Sequence, residues 1–269
     1  MPGAEIPRAL TIAGSDSGGG AGIQADLKTF QALGVWGTSA VTAVTVQNTK
    51  GVEGYEELPP RVVGDQVRAV VIDIGVDAAK TGMLASRPII EAVAEALSDL
   101  RVPNLVVDPV FMSKHGHPLL AEDAVEALRT SILPLATLVT PNLPEAAGLA
   151  GMPVHELTEM EAAGRAILEL GPSAVLVKGG HLEAGEATDL LVTARGVQEI
   201  SAERIDTPHT HGTGCVLSAA ITSHLARGAD LKEAVLQGKS FVTAAIRGHL
   251  EIGQGIGPVD PSWGLEPAG

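Results

Sequence analysis

The chain has 269 residues, of which 45% are hydrophobic and only 2% aromatic, so a core must be built from Ala, Val, Leu and Ile. Its formal net charge of −14 argues against nucleic acid and against an anionic membrane as partners. The single cysteine excludes an intramolecular disulfide. Because the sequence also lacks a leader-like start and a membrane-spanning apolar run, we expect a cytoplasmic protein.

Short apolar runs alternate with helical patterns through the first two thirds of the chain. In chain order they predict a strand at 10–13, a helix at 23–33, a strand at 38–46, a helix around 60–71, a strand at 78–82, a helix at 88–100, and strands at 104–108, 137–140 and 174–178. The strand runs are dense in Val and Leu, which is typical of buried parallel strands. The alternation therefore predicts an α/β fold with a mainly parallel central sheet and helices on both faces.

The pattern changes after residue 188. The segments DLLVT and QEISAERI predict an antiparallel edge pair, and two helices follow at 214–227 and 231–248. No linker, repeat or low-complexity segment interrupts the sequence. We therefore expect residues 1–269 to form one domain.

Polar and glycine-rich segments follow the predicted strands. In chain order they are GSDSGGGAG, TVQNT, KTGML, DPV, TPNLPE and KGGH. The carboxyl ends of parallel strands meet at one edge of a sheet, where open α/β folds bind their ligands. The sequence thus predicts an active site along that edge.

The segment HTHGTGC, residues 209–215, ends in the only cysteine of the chain. Gly212, Thr213 and Gly214 allow the backbone to fold closely around an anion, and the helix predicted behind them adds its dipole. At such a helix start we expect the pKa of the Cys215 thiol to be lowered. The alternative is that Cys215 is simply a small buried residue.

Four further side chains complete the parts that phosphoryl transfer requires. Lys178 ends a predicted strand and offers a cation at the same edge. Asn142 and Glu145 offer oxygen ligands suited to Mg²⁺, and Asp108 offers another carboxylate. Each also has a structural interpretation, since Glu145 suits the start of a helix and Asp108 suits a turn.

Two glycine motifs suggest nucleotide sites but fail on their context. The G-x-G-x-x-A pattern from Gly20 to Ala25 lacks the acidic residue that a dinucleotide site needs about 20 positions later. The GKS triplet at 238–240 has Glu233 where a P-loop requires glycine, and it lies within a helical pattern. We assign neither motif to nucleotide binding.

The histidines suggest two other chemistries. The pairs His115/His117 and His209/His211 lack a third ligand nearby, so we do not favour a metal centre there. A hydrolase dyad of Cys215 and His211 would need an orienting carboxylate, and the sequence indicates none.

The order of the motifs resembles that of a known family. The segments GSDSGGGAGIQADLKT, TAVTVQNT, KTGML, VVDPV, TPNLPEA, VKGGH, THGTGC and GQGIGPVD occur as in the hydroxymethylpyrimidine/phosphomethylpyrimidine kinases, the thiamine-biosynthesis branch of the ribokinase-like family. The resemblance implies a ribokinase-like fold, ATP with Mg²⁺ as phosphoryl donor, and a homodimer. It also implies two successive reactions, first on 4-amino-5-hydroxymethyl-2-methylpyrimidine and then on its monophosphate. Pro208, His209 and the loop at 111–116 depart from the usual family sequence.

The resemblance also implies roles for individual residues. Cys215 would act as a positioning group and modest base rather than a covalent nucleophile. The other catalytic residues would be Lys178, Gly212, Thr213 and Gly214. ATP and Mg²⁺ would bind at Asp108, Asn142, Glu145 and Lys178, with Glu145 holding the metal through water. The pyrimidine would contact Gln47, Met83, Ala21, Gly14 and Val110.

Gln47 also carries an argument of its own. Its carboxamide offers an acceptor and a donor that match the amino group and the neighbouring ring nitrogen of the pyrimidine. Pyridoxal, the substrate of the nearest alternative kinase, has no such pair of atoms. Another alternative, a non-catalytic nucleotide sensor, would lack Glu145, Lys178 or the HGTGC loop, and all are present.

Overall fold

The structure is a computed structural model that describes residues 6–112, 116, 119–120, 122–180 and 187–263. Its strands are β1 Arg8–Ala13, β2 Trp36–Val41, β3 Ala43–Asn48, β4 Gly51–Glu57, β5 Ala78–Thr81, β6 Leu105–Val107, β7 Leu138–Val139, β8 Ala174–Val177, β9 Ala187–Thr193 and β10 Gly196–Ala202. Its α-helices are α1 Gly22–Ala32, α2 Pro60–Asp73, α3 Arg87–Asp99, α4 Glu122–Ala127, α5 Leu143–Ala150, α6 Leu157–Leu168, α7 Thr213–Ala226 and α8 Leu231–Arg247. After α4 the chain continues through a π-helical turn, Leu128–Ile132, and a 3₁₀ turn, Leu133–Leu135.

Within the described residues, eight strands form the central sheet in the order β10-β9-β8-β7-β6-β5-β1-β2. The pairings from β2 to β8 are parallel, whereas β9 and β10 join antiparallel at one edge. The predicted parallel sheet and its antiparallel edge pair are therefore confirmed. The predicted elements are found with ends shifted by a few residues, with one exception described below.

Alternate residues of the strands face two different layers of helices. In β6, Leu105 and Val107 pack with the layer formed by α2 to α6, whereas Val106 faces the layer of α1, α7 and α8. Successive side chains of a strand point to opposite faces of the sheet. In a sheet covered by helices on both faces, both sets of side chains must therefore be buried. No helix in the described part of the chain has the length and apolarity needed to cross a membrane.

The strand predicted at 38–46 is wrong as a single element. It is split at Thr42, whose N–H donates to Ala13 O and whose hydroxyl donates to Met83 O at 2.7 Å. These bonds tie Thr42 to the ends of neighbouring strands, and the chain then leaves the sheet as β3. With β4, which the sequence did not predict, β3 forms a separate antiparallel ribbon. The ribbon carries Gln47 away from the sheet.

The GKS triplet lies within α8, as its helical pattern indicates. Gly238 faces α7 so closely that an added Cβ would lie 2.6 Å from Cγ1 of Ile221. The glycine is thus explained by close helix packing.

We predict that Gly238→Ala destabilises the protein by about 1–3 kcal/mol, because the new methyl group overlaps Ile221. At an exposed position within a helix, the same change would stabilise the protein by up to about 1 kcal/mol. Urea unfolding measures the difference, with the exposed neighbour Ser240→Ala as the matched control, expected within about 0.5 kcal/mol of wild type. A more stable Gly238→Ala variant would contradict the packing.

Candidate active site

The carboxyl ends of the central parallel strands open into a cavity of about 840 Å³. The turns after β1, β5, β6, β7 and β8 reach it, together with the start of α7 and the ribbon. The structure brings together at this cavity all the site residues expected from the sequence: Gly14, Ala21, Gln47, Met83, Asp108, Val110, Asn142, Glu145, Lys178, Gly212, Thr213, Gly214 and Cys215. These residues therefore meet at the edge of the sheet that the polar segments after the predicted strands indicate.

The glycine loop before α7 lines the cavity at the start of a helix. Gly212 precedes the helix with φ 81°, and a Cβ there would collide with the carbonyl oxygen of Gly20. Glycine is required for that backbone conformation and for that approach. The first N–H groups of α7 have no partner within the helix. They lie at the positive end of the helix dipole, which is the end of α7 at the cavity. A phosphate group suits this position.

Lys178 and Asp108 form an ion pair at the cavity wall. Nζ of Lys178 lies 3.1 Å from Oδ1 of Asp108, and the Asp108 side chain is buried. Burial opposes the charge of Lys178, but Asp108 and Glu145 outweigh it and raise the pKa of the amine. Lys178 is therefore a cation at neutral pH.

Glu145 and Asn142 form a capping box at the start of α5. Each side chain accepts a hydrogen bond from the other residue's backbone N–H, at 2.8 and 2.9 Å. The structural interpretation of Glu145 is thus confirmed in the geometry. Burial raises the pKa of Glu145 to about 7, with Lys178 lowering it and Asp108 raising it further. The carboxyl is partly protonated at neutral pH.

The donor chemistry of this wall fits Mg²⁺ bound through water. Mg²⁺ keeps several waters and takes only one or two carboxylates, together with substrate phosphates. Glu145 and Asp108 supply two carboxylates whose mutual repulsion a divalent cation would relieve. Among the described residues no cluster of three His, Cys, Asp or Glu side chains forms a complete protein-only metal site.

A hydrogen-bonded network lies beside Gln47. Asp16 accepts hydrogen bonds from the backbone N–H of Gly18, Gly20 and Ala21, and its Oδ2 lies 2.9 Å from Nε2 of His211. The amide nitrogen of Gln47 lies 3.4 Å from the same histidine nitrogen. The expectation that no carboxylate orients His211 is therefore wrong.

Asp16 is ionised in this network. Burial raises its pKa, but the hydrogen bond and charge of His211 and the backbone donors outweigh burial and leave the pKa lowered. An ionised carboxylate only accepts hydrogen bonds, so Nε2 of His211 carries a proton. Nε2 of His211 therefore donates a hydrogen bond to Asp16.

The remaining substrate-side residues form an apolar wall. A Cβ on Gly14 would lie 3.0 Å from Sδ of Met83, so Met83 packs directly on the turn after β1. Met83 clusters with Ala43 and Leu119, and Val110 packs against this group. A flat ring can lie on such a surface.

Cys215, the third residue of α7, is half-buried in the cavity wall. Burial raises the pKa of its thiol to about 12, although the charge of Lys80 opposes this rise. The expected lowering of this pKa is therefore wrong, because removal of the thiol from water outweighs the opposing charge of Lys80. Cys215 is a neutral thiol in the free protein.

Two buried ion pairs at the cavity were missed from sequence. Nζ of Lys80 lies 2.9 Å from Asp26, and both side chains are fully buried. Lys239 lies 2.6 Å from Asp189, which also accepts the N–H of Gly179. The available signals were a lone lysine in the apolar strand AAKT and a lysine on the buried face of α8.

The histidine pairs have separate surroundings. His209 accepts the N–H of Gly257 at 2.9 Å, and its ring stacks on His249 with centroids 5.3 Å apart, whereas His211 binds Asp16. The pair His115/His117 lies outside the described residues.

Comparison with known proteins agrees with this geometry. The family described as phosphomethylpyrimidine kinase matches residues 16–260. The hydroxymethylpyrimidine/phosphomethylpyrimidine kinase of Streptomyces coelicolor is 53% identical over 259 residues, 96% of each chain. The protein of that name from Salmonella typhimurium is 50% identical, over 93% of this chain and 96% of the relative.

Solved structures share the fold. Pyridoxal kinase from Bacillus subtilis, in an ADP complex, superposes with a TM-score of 0.90 at 41% identity, over 96% of this chain and 98% of the other. Phosphomethylpyrimidine kinase from Clostridium difficile gives a TM-score of 0.80 at 47% identity, over 90% and 100%.

The sheet topology, together with the kinase family match and the solved structures that share the fold, defines a ribokinase-like phosphotransferase. Within that class, the chain belongs to the phosphomethylpyrimidine kinase family. The family, the fold and the kinase class predicted from the motifs are confirmed.

The raised pKa of Glu145 makes a prediction for stability. Because the folded protein favours the protonated carboxyl, its unfolding free energy should fall, relative to that of Glu145→Gln, as pH rises from about 4.5 to about 7. The relative change should be about 1–3 kcal/mol. Urea unfolding at several pH values without Mg²⁺ or ATP measures it.

The exposed Glu53→Gln serves as the matched control, because it removes no buried carboxyl. Its difference from wild type should stay flat across the same pH range. A flat difference for Glu145→Gln as well would contradict the raised pKa.

Proposed function

We propose that this protein is an ATP-dependent kinase of thiamine biosynthesis. It phosphorylates 4-amino-5-hydroxymethyl-2-methylpyrimidine and then converts the monophosphate to the diphosphate. The observation that carries the proposal is that one cavity holds both the phosphate-binding start of α7 and the pyrimidine-matching pair Gln47 and Met83. The family membership supports the same activity.

The donor phosphate is held at the glycine loop. The loop 212–214 lines the cavity at the start of α7, where the N–H of Gly214 would face the negative charge that builds up on the transferred phosphoryl group. The N–H of Thr213 donates to Thr210 O at 3.3 Å, and Lys178 adds a fixed cation. Phosphoryl transfer passes through a loose transition state, so positioning and electrostatics supply most of the catalysis. Pyridoxal kinases of this fold have been solved with ADP and with AMP-PCP, which supports ATP as the donor.

Mg²⁺, when bound, neutralises phosphate charge and helps to align the phosphates. We propose that Glu145 holds it through water, with Asn142 and Asp108 completing the polar wall around ATP. Ionisation of Glu145 would favour the metal, since its carboxyl is otherwise partly protonated.

The acceptor alcohol lies at the other end of the cavity. Gln47 binds the amino group and ring nitrogen, and Met83, Ala21, Gly14 and Val110 enclose the ring. The hydroxymethyl group then points toward Cys215. A thiol that is neutral when the site is free suits a positioning role, with proton acceptance only as transfer proceeds.

Three broader features belong to the same proposal. We propose that residues 1–269 act as one ribokinase-like domain, that the protein is cytoplasmic, and that it is a homodimer. The two helical layers packed on one sheet support the single domain. The net charge of −14 supports small molecules rather than nucleic acid or membrane as partners.

The decisive test measures ADP formed from MgATP with the pyrimidine, with its monophosphate, with pyridoxal, and without an acceptor. ADP should form with the first two, at a much higher kcat/KM than with pyridoxal. A preference for pyridoxal would favour the alternative kinase. ADP formed without an acceptor would indicate an ATPase, and no turnover at all would favour a nucleotide sensor.

Cys215→Ala should reduce kcat about a hundredfold, at the low end of what a positioned acid–base group contributes. ATP affinity should remain near wild type, because the backbone donors of α7 are kept. Cys215→Asp should recover part of the activity, since a carboxylate can accept the hydroxyl proton. Steady-state kinetics and ATP titration separate the two effects, and full activity of Cys215→Ala would make the thiol purely structural.

Gln47→Glu should lower kcat/KM for the pyrimidine roughly ten- to a hundredfold, or about 1–3 kcal/mol, because a second acceptor then faces the ring nitrogen. ATP affinity should not change. Asn48→Asp adds the same charge one residue along the ribbon, on an exposed side chain, and should leave kcat/KM near wild type. Equal losses of kcat/KM in both variants would show that the added charge, and not a changed hydrogen bond to the ring, causes the effect.

A further inference from the structure

The turn after β1 contains Ser15, Asp16 and Ser17, and alternate side chains of this segment have different partners. Asp16 binds the glycine loop and His211, as described above. The two serines instead contact β3, the strand of the ribbon that carries Gln47. The proposed reaction uses neither serine, so their contacts with the ribbon need another explanation.

The serines bind alternate residues of β3 by their backbone groups. The N–H of Ser15 donates to Ala43 O at 2.9 Å, and Oγ of Ser15 accepts the N–H of Thr45 at 3.1 Å. Oγ of Ser17 accepts the N–H of Gln47 at 2.8 Å, and its hydroxyl lies 2.8 Å from Gln47 O and 3.1 Å from Thr45 O. The turn therefore holds β3 much as a further strand would.

Pairing within the ribbon is irregular at Gln47. The register of β3 with β4 shifts between Val46 and Gln47, where β4 has one extra residue, Glu53. A bulge of this kind disrupts the ladder locally and changes the direction of nearby side chains. The hydrogen bonds from Ser17 reach Gln47 at this irregularity. They therefore hold its backbone where the pairing with β4 is not regular.

The carboxamide of Gln47 depends on that backbone for its position. Because Nε2 of His211 donates to Asp16, its 3.4 Å contact with the amide nitrogen of Gln47 brings two donors together and is not a strong hydrogen bond. Gln47 lines the cavity, whereas Ser17 is exposed and is not among the described residues that line it. An effect of Ser17 on a bound ring would therefore pass through the ribbon.

We propose that Ser17 is a specificity-determining positioning residue, whose hydroxyl fixes the backbone of Gln47 so that its carboxamide meets the amino group and the ring nitrogen of the pyrimidine together. A carboxamide that binds two adjacent ring atoms tolerates little displacement, since both hydrogen bonds are directional. The serine itself touches no substrate. The proposal rests on the proposed function, whereas the hydrogen bonds between Ser17 and Gln47 do not.

Ser17→Ala should lower kcat/KM for the pyrimidine roughly three- to tenfold, the range that one hydrogen bond commonly supplies. The loss should appear mainly as a higher KM for the pyrimidine, with kcat and the KM for ATP near wild type, because the carboxamide binds substrate and transition state alike. Ser17→Thr keeps the hydroxyl and should restore most of the loss. An unchanged kcat/KM in Ser17→Ala would overturn the proposal.

Thr193→Val is the matched control. The Thr193 hydroxyl also accepts one backbone N–H, that of Arg195, and donates to one carbonyl, that of Gly196, at 3.2 Å each. It lies at the end of β9, which pairs with the start of β8 at the edge of the sheet opposite the cavity. This variant should keep the wild-type kcat/KM. A loss equal to that of Ser17→Ala would overturn the proposal, because the position of the hydroxyl would then not matter.

A double variant tests whether Ser17 acts through the carboxamide. Gln47→Ala removes the carboxamide but keeps the backbone N–H and C=O that bind Ser17, so the ribbon remains anchored. Adding Ser17→Ala to Gln47→Ala should therefore change kcat/KM by less than about twofold. The same three- to tenfold loss in both backgrounds would overturn the proposal, since Ser17 would then support the site by another route.

Amide hydrogen exchange, followed by NMR, tests the anchoring without ATP or pyrimidine. The N–H of Gln47 should exchange roughly three- to tenfold faster in Ser17→Ala than in wild type, and Ser17→Thr should keep it protected. An unchanged exchange rate in Ser17→Ala would overturn the proposal. A wild-type protein that forms no ADP with the pyrimidine would instead refute the proposed function, and the exchange rates would still decide whether Ser17 anchors Gln47.

Discussion

The strands at the centre of the sheet are buried on both faces, and this constraint determines where chemistry can occur. β5, β6 and β8 carry apolar side chains toward both helical layers, so unpaired polar groups would be costly along most of their length. Polar residues are therefore concentrated where the strands end, and parallel pairing brings those ends together. Asp108 and Lys178 meet across β7 for this reason, although 70 residues separate them in sequence.

A second constraint connects the two ends of the chain. The glycine loop before α1 and the glycine loop before α7 touch where Gly212 approaches the carbonyl oxygen of Gly20. Asp16 and His211 close the same contact with a hydrogen bond between side chains 195 residues apart. The start of α7 and the loop before α1 are thus fixed relative to each other, as the proposed transfer between two bound molecules requires.

The sheet and the position of the site could be predicted from the hydrophobic periodicity, the polar residues at the strand ends and the order of the motifs. These three features can be read from local sequence. The split at Thr42 was not predictable, since it depends on hydrogen bonds to Ala13 and Met83 from other strands. The pKa of Cys215 was misjudged for a related reason: burial is a tertiary property, and the helix start alone suggests the opposite shift. Lys80 was visible as a lone charge in AAKT, but its partner on α1 was not.

The proposed function requires this cavity to bind phosphates, although the protein is strongly acidic. The described lysines that line it each pair with a buried carboxylate: Lys80 with Asp26, Lys178 with Asp108 and Lys239 with Asp189. Such pairs fix the position of each cation but leave little net positive charge. In the proposed reaction, backbone N–H groups at the start of α7, Arg204 at the cavity wall and a divalent cation would add affinity for anions. Because each of these acts locally, they would bind a phosphate at one place without making the surface attractive to polyanions.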